Sequence, residues 1–262
     1  MVQYLGLESA TAQEVLYWAL STFGDSLAIS TSFQKEGMVL IDMAVRINPK
    51  VRVFTIDTGR LPEETHQMME TVRQRYGIPV EIVFPEAPEV ESMIAAHGPN
   101  LFYREVPLRK LCCEIRKVRP MQRKLATLQA WVVGLRRSQT ETRSQIRKVE
   151  SIDGTVKISP LADWTSQQVE DYTRQHEVPV HPLYAKGFPS IGCGPCTRAT
   201  FNCEDERAGR WWWEQDAEKE CGIHVAPNGR VMRHVDVLLS DVLASPPVFS
   251  QPSLFPNSAE TR

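Results

Sequence analysis

Apolar and polar positions in the first half of the chain switch repeatedly between two periods. Residues 11–23 carry Val15, Leu16, Trp18, Ala19 and Leu20 as one apolar stripe at helical spacing. Thr11 and Glu14 ahead of that stripe have the spacing of a capping box. Residues 26–30 follow as a short apolar run, the pattern of a buried strand. The same beat predicts helices over 38–45, 62–76 and 88–96, and strands over 51–56, 79–84 and 130–135. Pro62 suits the first turn of its helix, where a missing N–H does no harm. A later helix is predicted over 160–180, with Thr165 and Gln168 at capping-box spacing. After His234 the periodicity weakens.

Strands separated by helices imply crossover connections, hence an α/β fold with a mostly parallel sheet flanked by helices. Ligands of such sheets sit beyond the carboxyl ends of the strands. Three loops leave strands at that end, over 30–37, 57–60 and 134–143, and all are rich in hydroxyls, glycine or arginine. An anionic ligand is the natural expectation. Residues 1–244 read as one domain whose last part, about 204–244, forms a C-terminal segment. Pro246, Pro247, Pro252 and Pro256 exclude a helix or central strand over 245–262, which reads as a disordered tail. No internal repeat is evident.

Composition narrows the function classes. At 262 residues the chain can bury one sizeable core. Its 42% hydrophobic and 24% charged residues are ordinary for a globular protein. A net charge of −2 provides no global basic field for nucleic acid, and no apolar run has the length of a membrane span. The first residues lack the charged and apolar blocks of a signal peptide, so a cytoplasmic, reducing location is expected. There, six cysteines point to metal binding or catalysis rather than disulfides.

Candidate chemistry concentrates in two places. The loop Ser30-Thr-Ser-Phe-Gln-Lys-Glu-Gly37 joins a strand to a helix, where backbone N–H groups and hydroxyls can cradle phosphate oxygens. It lacks the Walker A pattern, and an ordinary turn with capping serines is the competing reading. In Gly134-Leu-Arg-Arg-Ser-Gln-Thr-Glu-Thr-Arg143, paired arginines followed by hydroxyls suit a multi-oxygen anion, against the alternative of a solvated basic loop. Cys193-Gly-Pro-Cys196 is a CxxC that could be a redox dithiol, half a zinc site or two cluster ligands. Its distance from the first strand tells against the redox dithiol. The adjacent Cys112 and Cys113 could complete four thiolates, with Arg116, Lys117 and Arg119 offsetting their charge; two buried apolar cysteines are the alternative. Cys221, in Glu220-Cys-Gly-Ile-His224, pairs a thiol with a nearby histidine and a glycine, as a nucleophile on a movable segment would. Cys203 has no partner motif and reads as structural. Arg207 and Arg210 could close over an anion, while the run Trp211-Trp-Trp213 suits core packing.

Taken together, STSFQKEG, DTGRLPEET, CCEIRK, GLRRSQTETR, CGPC, RAGRWWWE and ECGIH, in this order, resemble the assimilatory adenosine 5′-phosphosulfate (APS) reductases, within the wider family that includes the phosphoadenosine 5′-phosphosulfate (PAPS) reductases. The resemblance implies an adenine-nucleotide α-hydrolase-like sheet. It implies one [4Fe–4S] cluster per subunit on Cys112, Cys113, Cys193 and Cys196, with Lys117 between cluster and substrate. Ser30, Ser32, the loop of Asp57, Thr58, Gly59 and Arg60, and Gly134, Arg136 and Arg137 would hold the nucleotide. Arg207, Arg210 and His224 would contact the phosphosulfate. Cys221 would attack the sulfur, expelling AMP, and thioredoxin or glutaredoxin would release sulfite. Charge and hydropathy leave no nucleic-acid or membrane partner expected, and a homo-oligomer stays open. PAPS or dual specificity is the nearest alternative. An ATP-dependent adenylating enzyme of the same fold should instead carry an SGGxDS-like loop, and a zinc module would leave ECGIH unexplained.

Overall fold

The computed structural model describes residues 5–152, 154–201, 205–214 and 229–244. Its centre is a six-stranded sheet in the order β3-β2-β1-β4-β6-β5. The strands are β1 (Leu27–Ser30), β2 (Val53–Ile56), β3 (Val80–Val83), β4 (Ala130–Val133), β5 (Val149–Ile152) and β6 (Thr155–Ile158). All pairings are parallel except β5 with β6. That mostly parallel α/β architecture is the one the strand–helix alternation implied.

Side-chain alternation divides the core between the two faces of the sheet. Leu27, Ile29, Val53, Ala130 and Val132 face one layer, packed with α1 (Ala12–Phe23) and α2 (Lys35–Ile47). Ala28, Phe54, Ile56, Trp131 and Val133 face the other, where Met121 of α6 (Arg119–Leu125) joins them. A third cluster stands apart from the sheet. It joins α4 (Ala87–His97), α5 (Val106–Cys113) and α8 (Gly229–Ala244), and includes Cys112, Cys196 and Trp211.

Helix boundaries follow local chemistry. Thr11 caps α1 through the predicted capping box. α3 (Glu63–Tyr76) has Pro62 at its N-cap and ends on Gly77 in the left-handed region at φ 66°. α2 begins three residues earlier than its apolar pattern, because Lys35–Gly37 already wind into its first turn. α7 is shorter than the predicted 160–180. Its Thr165 capping box starts it at Ser166, and it stops at Gln175. Helices α5 and α6, the β5–β6 hairpin and α8 go beyond the sequence pattern. The β5–β6 hairpin pairs Ile152 with Thr155 around Asp153-Gly154, a sequence that favours tight hairpins. α8 runs through Ala244, with Val235, Leu238, Leu239 and Val242 at helical spacing and the helix packed on α5 and α4. Among the described residues no helix is long and apolar enough to cross a membrane.

Candidate active site

The strand order reverses direction between β1 and β4, the position where such sheets open a crevice beyond the strand ends. The loops after β1, β2 and β4 meet there and wall a cleft containing Ser30, Ser32, Thr58, Lys117, Gly134, Arg207 and Arg210. Phe33 turns the first loop. Its φ of 57° lies in the left-handed region, and its ring is fully buried in the sheet core, which holds the turn in place. Thr31 Oγ1 accepts the Phe33 N–H at 2.9 Å. Gly134 sits against the start of α2; a Cβ there would lie 2.8 Å from Glu36 Cβ and 3.0 Å from Gly37 N. Only a glycine lets the first and third loops approach this closely.

The second loop is organised by Asp57. Its carboxylate accepts the Gly59 N–H at 2.8 Å and pairs with His66 Nε2 at 2.9 Å. Gly59 adopts φ 69°. Asp57 therefore shapes the loop instead of lining the cleft, and Thr58 is the residue it presents. Arg60 points the other way, donating to Asn100 Oδ1 at 2.9 Å and lying over the Phe102 ring.

The third loop separates its arginines. Arg136 is buried, donating from Nε to Glu36 Oε1 at 2.8 Å and from Nη1 to Ser138 Oγ at 2.8 Å. Arg137 donates to the Ile146 carbonyl at 2.8 Å and pairs with Glu8, outside the cleft. Arg143, absent from the sequence reading of the site, lines the cleft, with Nη1 donating to Gln139 Oε1 at 2.7 Å. Gln139 also donates to Glu36 Oε1 at 3.1 Å, so Glu36, Arg136, Gln139 and Arg143 form one partly buried polar network. Glu206 lines the same cleft; partial loss of hydration raises its carboxyl pKa, as does the negative charge of Glu36, although the residue stays exposed at the rim.

The four cysteines share a second cavity. Cys112 and Cys113 reach it from the end of α5, and Cys193 and Cys196 from the CxxC turn; none forms a disulfide. A π-helical turn, Glu114–Val118, separates α5 from α6 directly after the cysteine pair. Pro120 cannot donate the hydrogen bond an unbroken α-helix requires, and such turns occur where a helix is re-aimed at a functional site. Thr58 Oγ1 lies 3.2 Å from Cys193 Sγ. Burial pushes the Cys112 thiol up to about 11, against the pull of Arg116, and the Cys196 thiol up to about 12, with Cys193 adding to the rise. Such thiols ionise only when a bound cation compensates the lost hydration. No three of the His, Cys, Asp or Glu side chains among the described residues are arranged around a single metal ion. All four cysteines line one cavity.

Cleft and cysteine cavity meet along a common wall formed by Thr58, Lys117, Cys193, Arg210 and Trp211. Gly192 admits the buried Arg210 guanidinium; a Cβ there would lie 2.0 Å from Arg210 Nη1. Trp211 is buried, whereas Trp212 is partly exposed. Cys203, Cys221, His224 and the tail 245–262 lie outside the described residues.

Known proteins resemble this chain in sequence and fold. The description "phosphoadenosine phosphosulfate reductase domain" matches residues 26–199. An adenosine 5′-phosphosulfate reductase of Allochromatium vinosum is 45% identical over 202 residues, 76% of this chain and 79% of that protein. One from Burkholderia cepacia is 46% identical over 203 residues, 77% and 81% of the two chains. The crystal structure of a phosphoadenylyl-sulfate reductase from Candida auris, a phosphate complex, superposes with a TM-score of 0.62 at 30% identity, covering 71% of this chain and 90% of that one. Yeast FAD synthetase shares the fold at a TM-score of 0.50 and 15% identity, over 72% of this chain and 66% of that one. The fold, the cleft at the strand reversal and these matches place the chain in the phosphoadenosine phosphosulfate reductase domain family.

Proposed function

We propose that the protein reduces adenosine 5′-phosphosulfate to sulfite and AMP with electrons from a thioredoxin-type dithiol, in sulfate assimilation. The observation that carries this reading is the common wall of Thr58, Lys117, Cys193 and Arg210 between a cleft lined by Lys117, Arg143, Arg207 and Arg210 and a cavity lined by four thiols. The 45% and 46% identical relatives named for the same reduction support the substrate.

The nucleotide would occupy the cleft. Ser30, Ser32, Thr58 and Gly134 would surround its sugar–phosphate end, and Lys117, Arg143, Arg207 and Arg210 its phosphosulfate. Cys221 would act as the nucleophile, with His224 at the same reacting end. Its thiolate attacks the sulfonate sulfur. An S–S bond forms, the S–O bond to AMP breaks, and the electron pair leaves on the phosphate oxygen. The cations facing the cleft stabilise that growing charge. A thiolate of the reductant then attacks Cys221 Sγ and releases sulfite with the bonding pair. Its second thiol resolves the mixed disulfide, so the reductant is oxidised to a disulfide and Cys221 returns as a thiol.

Cys112, Cys113, Cys193 and Cys196 fit a [4Fe–4S] group. The donor set is four thiols outside any disulfide that line one cavity, with a threonine hydroxyl and arginines around them. When bound through four thiolates, that group would be net negative, and Arg109, Arg116 and Lys117 around the cavity would offset its charge. Residues 1–244 would form one reductase domain of a cytoplasmic protein.

Sulfite release by anaerobically purified protein with reduced thioredoxin, given APS and PAPS side by side, tests the reading. Preference for APS supports it. Preference for PAPS, the substrate class of the Candida auris structure, would reassign the substrate and keep the chemistry. No sulfite from either would remove the reductase assignment.

A further inference from the structure

One buried ion pair belongs to neither the sheet core nor the catalytic reading above. The side chains of Arg109, on α5, and Glu214 are 1% and 3% exposed. Arg109 Nε and Nη2 each donate to one Glu214 oxygen at 2.8 Å, a fork that fixes orientation as well as distance. Buried ion pairs contribute little stability compared with apolar residues of equal volume, because both ions lose their hydration. A pair at this junction therefore calls for a positional explanation.

Two contacts supply it. The Arg109 guanidinium lies 4.6 Å from the centre of the Trp211 ring, and the Arg210 guanidinium 4.7 Å from the same ring. Arg109 lines the cysteine cavity, and Arg210 lines both that cavity and the cleft. Arg210 Nε has no hydrogen-bond partner among the described residues, so the indole is a principal contact that orients the guanidinium. Glu214 fixes one end of this chain of contacts, and the cysteine-bearing helix is what it is fixed to.

We propose that Arg109 and Glu214 are positioning residues: the pair holds Trp211, and through it the Arg210 guanidinium, in register with the helix that carries Cys112 and Cys113. The four-thiol site and the sulfonate-binding end of the cleft are thereby coupled without a shared ligand. The proposal rests on the reductase reading and assigns the pair to recognition of the sulfonate rather than of the nucleoside.

Two variants test it on anaerobically prepared protein. Glu214→Gln keeps the shape and removes the charge. Arg109→Met/Glu214→Leu removes both charges, keeps the apolar volume, and is expected to retain the wild-type melting temperature and the wild-type iron and sulfide content. Calorimetry with APS and with AMP needs no turnover. In both variants APS affinity is expected to fall about tenfold and AMP affinity to stay within about twofold, with KM rising more than kcat falls. Wild-type ratios of APS to AMP affinity in both variants overturn the proposal. So does full recovery of APS binding in the double variant, since the pair would then serve packing alone. Wild-type protein that releases no sulfite and binds APS no better than AMP removes the reductase reading itself.

Discussion

Thr58 Oγ1 stands 3.2 Å from Cys193 Sγ, joining the loop after β2 to the first cysteine of the CxxC turn. Two further bonds fasten the same junction. Arg116 Nη1 donates to the Thr58 carbonyl at 2.7 Å, and the Gly194 N–H donates to the Arg60 carbonyl at 2.8 Å. A hydroxyl near a thiolate sulfur stabilises its negative charge and fixes its direction. Thr58→Val keeps the shape and removes that donor. We expect a folded protein in which the proposed cluster loses iron to a chelator about tenfold faster than in wild type, in line with the roughly 10–100-fold effect of supporting residues on metal affinity. Timed chelator assays under argon measure this, and an unchanged rate would show that the hydroxyl does not support Cys193.

Gly192→Ala should act on anion binding rather than on the fold. The added Cβ would meet three atoms of the Arg210 guanidinium at 2.0–2.3 Å. That guanidinium is buried against Trp211 and cannot swing into solvent without losing the contact. Displacing one charge-assisted contact of about 1.5–3 kcal/mol corresponds to a roughly 10–150-fold higher KM. Melting temperature should move by a few degrees at most. Steady-state kinetics beside a thermal scan distinguishes this from general destabilisation, which would lower both together.

Strands β1 to β4 were legible because each is a local apolar run. Residues such as Leu27, Ile29, Val53 and Val132 lie in short apolar runs bounded by loops, and the ligand end follows from strand polarity. What sequence reading missed depends on distant partners. Which arginine of the loop 134–143 turns inward depends on Glu8 and the Ile146 carbonyl, which draw Arg137 out of the cleft. α8 shows its period only once α5 and α4 provide a surface for Leu238, Leu239 and Val242, since Asp236, Ser240 and Asp241 dilute the pattern. The β5–β6 hairpin did carry a local signal, Asp153-Gly154, that could have identified it. Convergence of the four cysteines was readable as a residue count, whereas their common wall with the cleft required the fold.

His181 makes the fold sensitive to acid. It is buried, its Nδ1 accepts the Leu183 N–H at 3.3 Å, and its Nε2 lies 3.1 Å from Thr65 Oγ1. The ring is therefore neutral with its proton on Nε2, and burial lowers its pKa despite the opposing pull of Glu64. A histidine with a lowered folded-state pKa contributes stability that is fully present above its unfolded value, about 6.5. That contribution is lost as pH falls through the folded value. Urea midpoints from pH 7.5 to pH 5 should decline in wild type and decline less in His181→Gln. Parallel slopes would assign the acid sensitivity to other groups.

Arg143 and Arg137 provide a matched pair of tests on one loop. Arg143 is buried and lines the cleft, oriented by Gln139 within the network that includes Glu36 and Arg136. Arg137 is partly exposed and engaged with Glu8 and the Ile146 carbonyl. Removing a buried guanidinium from an anion site forfeits roughly 1.5–3 kcal/mol of charge-assisted binding, so Arg143→Ala should lower kcat/KM about 10–150-fold. An exposed pair such as Arg137–Glu8 is worth about 0–1 kcal/mol, so Arg137→Ala should leave kcat/KM within about fivefold and lower the urea midpoint slightly. Gln139→Leu removes the acceptor that orients Arg143 and should reproduce part of its loss, with KM rising while melting temperature changes little. Kinetics on the three variants measures the order directly. A larger loss for Arg137→Ala than for Arg143→Ala would mean that the loop turns during turnover and presents Arg137 to the nucleotide.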